Sequence, residues 1–424
     1  MHEVITLDNA LRVVFEPINH TRSAAIGVWV KAGALLEDDG ETGLSHLMEH
    51  MSFKGTKRYS VQQLAGLMDM IGGQVNAATS KLYTTYYARV TEGNLKKAAD
   101  LLAELVLQPL MAEEELNREK NVVLEEINMT ADNPEDAVDD LINEALYSGQ
   151  PLAKPILGRR NAIAGYTRED AIRFRDKFYH PANTVISVAG QFKRDEMLSL
   201  LNERFGTWQN VQPAAVFPAI TTNRTIVQLG ADKPVEQVYL CLGYKGLQAD
   251  HPDSYGLLLM NTIYGGAVSS RLFQRIREQK GLVYNIYSAP SFYPTCGDFV
   301  IYAAVSPANA EKVLQLVDEE TESFLADGVS NRELRQAKEQ MKTGYVLAQE
   351  SAYQRMTALG SATLLGREIK PARKVLAGIE RVTKQDVHRI AVQVLGSGAG
   401  MAFVGKDAEK LIATIRGYEY GQIG

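Results

Sequence analysis

Thr42-Gly43-Leu44-Ser45-His46-Leu47-Met48-Glu49-His50 opens a helical stretch that has an echo in the second half of the chain, at Tyr255-Gly256-Leu257-Leu258-Leu259-Met260-Asn261-Thr262-Ile263. Each follows a strand-like run, Ser23 to Gly33 in the first case and Glu236 to Gly246 in the second, and then an acidic loop. A second pair repeats the relation. Thr167-Arg168-Glu169-Asp170 starts a helix leading into the strand Thr184 to Ala189, and Thr383-Lys384-Gln385-Asp386 likewise leads into Gly400 to Val404. Thr-x-x-Asp is a helix N-cap with a carboxylate in the first turn. Two echoes at nearly one offset indicate an internal duplication. The fold class read from this is α/β (α+β): two duplicated α/β domains, each a mainly antiparallel sheet packed with helices. The first domain is expected over residues 1–206 and the second over 225–424. Thr207 to Arg224, with Pro213, Pro218 and few charges, serves as the linker.

Bulk composition narrows the function. A chain of 424 residues suits two or three domains, and 45% hydrophobic with 23% charged residues is a globular balance. The formal net charge is -6 and no dense run of Lys and Arg occurs, which excludes nucleic acid and anionic membrane as expected partners. Met1 to Pro17 reads as strands with a turn at Asp8-Asn9, not as the basic head and apolar core of a signal peptide. Ala24 to Leu36 is broken by Lys31 and too short to span a bilayer. The two cysteines, Cys241 and Cys296, form no C-x-x-C pattern, so a disulfide framework is excluded and a reducing, cytoplasmic setting is expected. Both are expected in strands as buried small hydrophobes.

His46 and His50 are four apart and stand on one helical face, where both imidazoles can reach one ion. Glu49 lies one turn from His46, placed to act as a base on the attacking water. This H-x-x-E-H order is an inverted zinc-peptidase signature. A third ligand beside two His is usually a carboxylate. Glu113 to Met129 reads as a long helix whose Leu116, Val123 and Ile127 form an apolar stripe. At about 100° per residue, Glu119 and Glu126 fall within about 20° of each other at the edge of that stripe, and Glu125 points away. The wheel therefore selects Glu126 or Glu119. Its bland alternative is a pair of carboxylates matched to Arg or Lys at a domain edge.

With His46-Leu47-Met48-Glu49-His50 followed by Glu119 and Glu126, the chain resembles the pitrilysin or insulinase family of metallopeptidases. In size and layout it is similar to bacterial relatives of the mitochondrial processing peptidase. The resemblance implies zinc, one ion per chain, with Glu126 as the distal ligand and Glu119 supporting the site. Gly72-Gly73-Gln74-Val75-Asn76-Ala77-Ala78-Thr79-Ser80 resembles the family's edge strand beside the zinc. That implies Gly73, Val75, Asn76 and Ala77 as substrate-binding positions for an extended peptide. Leu82 departs from the family, which usually carries Glu there. In the second half, Ser270-Arg271-Leu272-Phe273 and Arg277-Glu278-Gln279-Lys280-Gly281-Leu282-Val283-Tyr284 resemble the family's substrate-clasping segment. Gly281 marks a helix end, which sets Arg277 in the last turns and Tyr284 at the start of a strand. Read alone, these are a surface Arg and a half-buried Tyr. The resemblance instead implies that they hold the peptide and help stabilise the oxyanion.

Leu259, Thr262 and Ile263 stand opposite His46, Glu49 and His50 in the duplicate, so the second half is expected to hold no metal. The implied activity is that of a zinc endopeptidase acting on short or unfolded peptides. Because the family's substrate chamber takes four such domains, a homodimer is expected, or a heterodimer with a related chain. The competing expectation is a non-catalytic scaffold or a peptide-binding subunit.

Overall fold

The computed structural model describes residues 2–209, 212–222 and 227–415. Its strands in chain order are β1 (Glu3–Thr6), β2 (Arg12–Pro17), β3 (Ser23–Val30), β4 (Gln74–Thr79), β5 (Thr84–Thr91), β6 (Thr184–Gly190), β7 (Gln228–Asp232), β8 (Val238–Lys245), β9 (Val283–Phe292), β10 (Gly297–Val305) and β11 (Ala399–Gly405). The helices that matter most here are α1 (Leu44–Ser52), α2 (Glu113–Asp132), α3 (Pro134–Tyr147), α4 (Ser254–Tyr264) and α5 (Ala352–Leu364). Among the described residues no helix is long and apolar enough to cross a membrane. Thr167 and Thr383 both close capping boxes with the Asp three residues on.

Two sheets carry the fold. The first has strand order β1-β2-β6-β3-β5-β4 and the second β7-β11-β8-β10-β9. In the first, β2 runs parallel to β6 and the other pairs are antiparallel. In the second, β7 runs parallel to β11 and the rest are antiparallel. With β1 set aside, the two orders and polarities coincide strand for strand, so the duplication seen in the helix openings holds in the topology.

The chain forms two compact units, and neither is one stretch of sequence. One comprises Met1–Ile127, Lys154–Pro218 and Val346–Ile369, the other Asn128–Ala153, Ala219–Tyr345 and Lys370–Gly424. The step from Pro218 to Ala219 falls inside the stretch read as a linker, whose described residues form no helix or strand. Residues 210, 211, 223 and 224 of that stretch lie outside the described residues.

The unit make-up follows from what the central strands need. β3 is buried at every position after Ser23 and β6 along its whole length. Such strands must be covered on both faces. One face packs into the core of Val13, Phe15, Ile26, Val28 and Tyr86, which also takes Leu47, Met48 and Met51 of α1. The other face, with Val14, Ala25, Trp29 and Val185, is covered by Met356, Leu359 and Leu364 of α5, a helix from the second half of the sequence. In the other unit the reverse holds: α3, from the first half, lies on β11, β8 and β7.

Two glycines, one in each of the matching strands β3 and β8, make room for these helices. A Cβ on Gly27 of β3 would stand 2.5 Å from the Trp29 ring and 2.8 Å from Met356 Sδ. One on Gly243 of β8 would stand 2.8 Å from Leu146 Cδ1 and 3.0 Å from Ile142 Cγ1 of α3.

Two local expectations, for Cys296 and Tyr284, are corrected. Cys241 is buried in β8, but Cys296 sits partly exposed between β9 and β10, where the Tyr293 N–H donates to its carbonyl at 3.0 Å across a Pro-containing turn. The helix expected before Gly281 is present as a π-helix, Phe273–Gln279, with Arg277 in its last turn. Tyr284 is 79% exposed rather than half-buried.

Candidate metal centre

The α1 sequence sorts its residues by face. Leu47, Met48 and Met51 are buried, which leaves His46, Glu49 and His50 along the margin of the core. On α2, Leu116 and Val123 are buried and Ile127 packs against the same core. Glu119 and Glu126 lie where the wheel sets them: Glu119 is 4% exposed, Glu126 is half-buried, and Glu125 faces solvent.

His46, His50 and Glu126 offer ligand atoms that all lie within 4.8 Å of one another, and this is the one such group among the described residues. Glu126 Oε2 stands 3.7 Å from His46 Nε2 and 3.6 Å from His50 Nε2. Tetrahedral ligands at zinc–nitrogen and zinc–oxygen distances of about 2.0–2.1 Å are about 3.4 Å apart. Two imidazoles and one carboxylate at that spacing fit a zinc ion with its fourth position open.

The surrounding groups support the same use. Glu119 Oε2 lies 3.0 Å from His50 Nδ1, which leaves Nε2 of that ring for the metal. The other Glu119 oxygen pairs with Lys54 Nζ at 2.8 Å, so this buried carboxylate is matched on both sides. His46 has no such partner. Its Nδ1 is buried and makes no hydrogen bond among the described residues. Burial, reinforced by the nearby His50, pulls the His46 pKa down to about 4, which keeps the ring neutral and able to ligate.

Glu49 is pushed above the usual carboxylate range, mainly by burial. The Thr79 hydroxyl donates to Glu49 Oε2 and opposes that shift, as does His50, while Glu126 adds to it. A carboxylate tuned upward beside a metal site is the form a general base takes. Thr79 ends β4, which among the described residues pairs with β5 only and is one of the two edges of its sheet. Val75 and Ala77 of that strand are partly or fully buried, while Gly73 and Asn76 are exposed.

The other expected residues lie in the second unit. Arg277 is in the last turn of the π-helix, its guanidinium over the Phe273 ring at 4.6 Å and its Nε donating to the Tyr284 carbonyl at 2.8 Å. Arg271 is anchored instead by Glu333 at 2.7 Å and the Gly328 carbonyl at 2.7 Å. Leu82 lies in the turn after β4, its N–H donating to Ser80 Oγ at 3.2 Å, and nothing in the structure explains its departure from Glu. Sequence reasoning missed Lys54 and Thr79. Lys54 lies just past the end of α1 and Thr79 at the end of β4, so both contacts need the fold.

Comparison with known proteins agrees with this geometry. Residues 12–160 match the family model described as "Insulinase (Peptidase family M16)", and residues 165–341 match "Peptidase M16 inactive domain". The chain is 36% identical over 401 residues to an uncharacterized zinc protease, YmxG, of Bacillus subtilis, covering 94% of this chain and 97% of that one. It is 35% identical over 411 residues to an uncharacterized zinc protease of Mycobacterium leprae, covering 96% and 92%. The fold is similar to that of a protease from Helicobacter pylori, with a TM-score of 0.90 at 23% identity over 96% of this chain and 99% of that one. Two family models matched one after the other, relatives alike over nearly their whole length and an assembled His-His-Glu group together mean that the chain belongs to the insulinase family of zinc metallopeptidases, peptidase family M16.

Proposed function

We propose that the protein is a zinc endopeptidase that hydrolyses short or unfolded peptides bound in extended form, within a chamber formed by two copies of the chain. The observation that carries the peptidase reading is the juxtaposition of His46, His50 and Glu126 with an upshifted Glu49. His46 Nε2, His50 Nε2 and a Glu126 oxygen would hold the ion. When bound, zinc supplies Lewis-acid polarisation of the scissile carbonyl and acidifies the attacking water.

The rest is done by the chain's own groups. Glu49 takes the proton from that water on a carboxylate oxygen and returns it to the leaving amine. The Thr79 hydroxyl keeps Glu49 ionised and aimed. Glu119 fixes the tautomer of His50. A peptide adding as a strand along β4, at Gly73, Val75, Asn76 and Ala77, gains affinity from main-chain hydrogen bonds with little demand on its sequence. Arg277 and Tyr284 are assigned to the peptide backbone and the developing oxyanion, where a cationic fork and a phenol donor suit the charge. In this division the 1–206 part carries the metal and the 225–424 part contributes substrate contacts. A homodimer supplies the four domains of a chamber, and a heterodimer with a related chain would do so equally. Two unpaired cysteines favour a cytoplasmic setting.

The test is mass spectrometry of a pool of unstructured peptides incubated with the purified protein, alongside Glu49→Gln. The wild type is expected to cut, and the variant to retain zinc while losing about 10²–10⁴-fold in rate. Intact peptides with zinc bound in both would leave the protein either dependent on a related partner chain or a peptide-binding subunit.

A further inference from the structure

Glu37 lies in the loop between β3 and α1, is 3% exposed, and uses both carboxylate oxygens. The Gly43 N–H donates to Oε2 at 2.8 Å and the Ser45 N–H to Oε1 at 2.8 Å. These donors belong to the N-terminal turn of α1, whose amides have no acceptor within the helix. Helices usually meet that need with a Ser, Thr, Asp or Asn at the N-cap. Here the N-cap is Gly43, with φ at 88°. A Cβ there would stand 2.7 Å from both Gly158 Cα and the Leu157 carbonyl oxygen. A local cap is sterically shut out, so Glu37 caps the helix from six and eight residues away.

The loop itself is held. Lys154 Nζ donates to the Glu37 carbonyl at 2.9 Å and pairs with Asp39 at 2.9 Å. The Tyr166 hydroxyl donates to the Thr42 carbonyl at 2.9 Å. Burial pushes the Glu37 carboxyl up to about 7, against the pull of its two N–H donors, so keeping a carboxylate there is costly. An apolar loop would avoid that cost.

Directly after Ser45 comes His46. The two metal-facing histidines are oriented by different means. The ring of His50 is tied by Glu119, while the Nδ1 of His46 has no partner among the described residues. The placement of His46 Nε2 then depends on its own backbone and packing. We infer that Glu37 is a positioning residue of the metal centre: by gripping the first turn of α1 it sets His46 through the backbone, as Glu119 sets His50 through the ring. The inference rests on reading this site as a zinc centre.

Full-length wild type, Glu37→Gln, Glu37→Asp and Tyr166→Phe are compared as folded protein isolated by size exclusion. The readouts are zinc affinity, by competition with a chromogenic chelator, and the visible spectrum of the cobalt-substituted form. Glu37→Gln turns an amide NH₂ towards one of the two N–H donors and is expected to weaken zinc binding about 10–100-fold, the cost typical of losing a ligand's supporting partner. Its cobalt band should change with it. Glu37→Asp, with the charge kept but the carboxylate withdrawn by one methylene, should fall between. Tyr166→Phe loses a bond to the same turn without freeing a helix amide, and should keep wild-type affinity even if it melts earlier.

Unchanged zinc affinity and cobalt spectrum per folded Glu37→Gln molecule would overturn the inference, whatever its melting temperature. Should that variant fail to fold, Glu37→Asp decides by the same two readouts. A wild type that binds zinc but cuts no peptide sinks the reading as a peptidase on its own and leaves the affinity comparison for Glu37 standing. A wild type that binds no zinc sinks both.

Discussion

α1 and α4 occupy the same place in the two copies of the repeat, and they are used in opposite ways. In α4, Leu259 and Ile263 are buried in the core of the second sheet, and Thr262 turns its hydroxyl back to the Leu258 carbonyl at 2.9 Å. In α1 the matching positions are His46, His50 and Glu49, drawn to the core margin and served by Glu119, Lys54 and Thr79. Even the N-terminal turns differ: α1 is capped by the distant Glu37, whereas Asp253 before α4 makes no capping bond and pairs with Arg389 at 2.7 Å. A helix that only has to pack needs no ionisable group at any of the three positions. One that holds an ion needs neutral imidazoles, a tuned carboxylate and a matched charge behind them, and it gives up apolar burial to get them.

The most forceful way to break the comparison is to graft the α1 ligands onto α4. Leu259→His with Ile263→His sets two imidazoles into a closed apolar slot. The double variant is expected to lose about 5 kcal/mol of stability in a chemical denaturation experiment, and added zinc should not restore it. Recovery with zinc would mean that the second copy retains a cryptic site.

If the second copy instead serves catalysis through Arg277 and Tyr284, removing them should leave the metal alone. Arg277→Ala and Tyr284→Phe are each expected to lower kcat/KM by about 10²-fold, with zinc content unchanged by elemental analysis. Wild-type rates in both would confine the second unit to a structural part.

Within the first copy, Glu119→Gln keeps shape but removes the charge that holds His50 and Lys54. Zinc affinity should drop about 10–100-fold, measured by chelator competition, with less effect on the rate at saturating zinc.

The smallest effect concerns pH. As the proposed base, Glu49 works only when ionised, and burial sets its pKa above the usual carboxylate range. Activity is therefore lost as pH falls through that raised value. Thr79 donates to the ionised form and holds the value down, so Thr79→Val should move the acid limb of kcat/KM to higher pH and leave the alkaline limb in place. An acid limb that does not move would remove Thr79 from the account.

Much of this was legible in the residues because it is local or periodic. His46 and His50 share a face by helical geometry alone, and the same periodicity brought Glu119 and Glu126 to one edge while turning Glu125 away. The duplication showed itself in helix openings and capping boxes at one spacing, and the resemblance to a known family then separated ligand from support. The π-helix under Arg277, the exposure of Tyr284 and the place of Cys296 in a turn were not legible, since each depends on how neighbouring strands are spaced and covered.

The sequence by itself determined the two-copy plan, the chemistry of the α1 and α2 faces and the absence of His or Glu at the matching positions of α4, because side-chain period and residue type need no distant partner. Tertiary structure alone decided which segments complete each unit. α5 covers β3 and β6, and α3 covers β11 and β8, because a largely apolar central strand must bury both faces, and the chain met that need with a helix from the other half of its sequence. It also decided that Glu37, Thr79 and Lys54 converge around α1, since a capping amide, an ionised base and a buried carboxylate are satisfied only by whatever group the fold brings within reach.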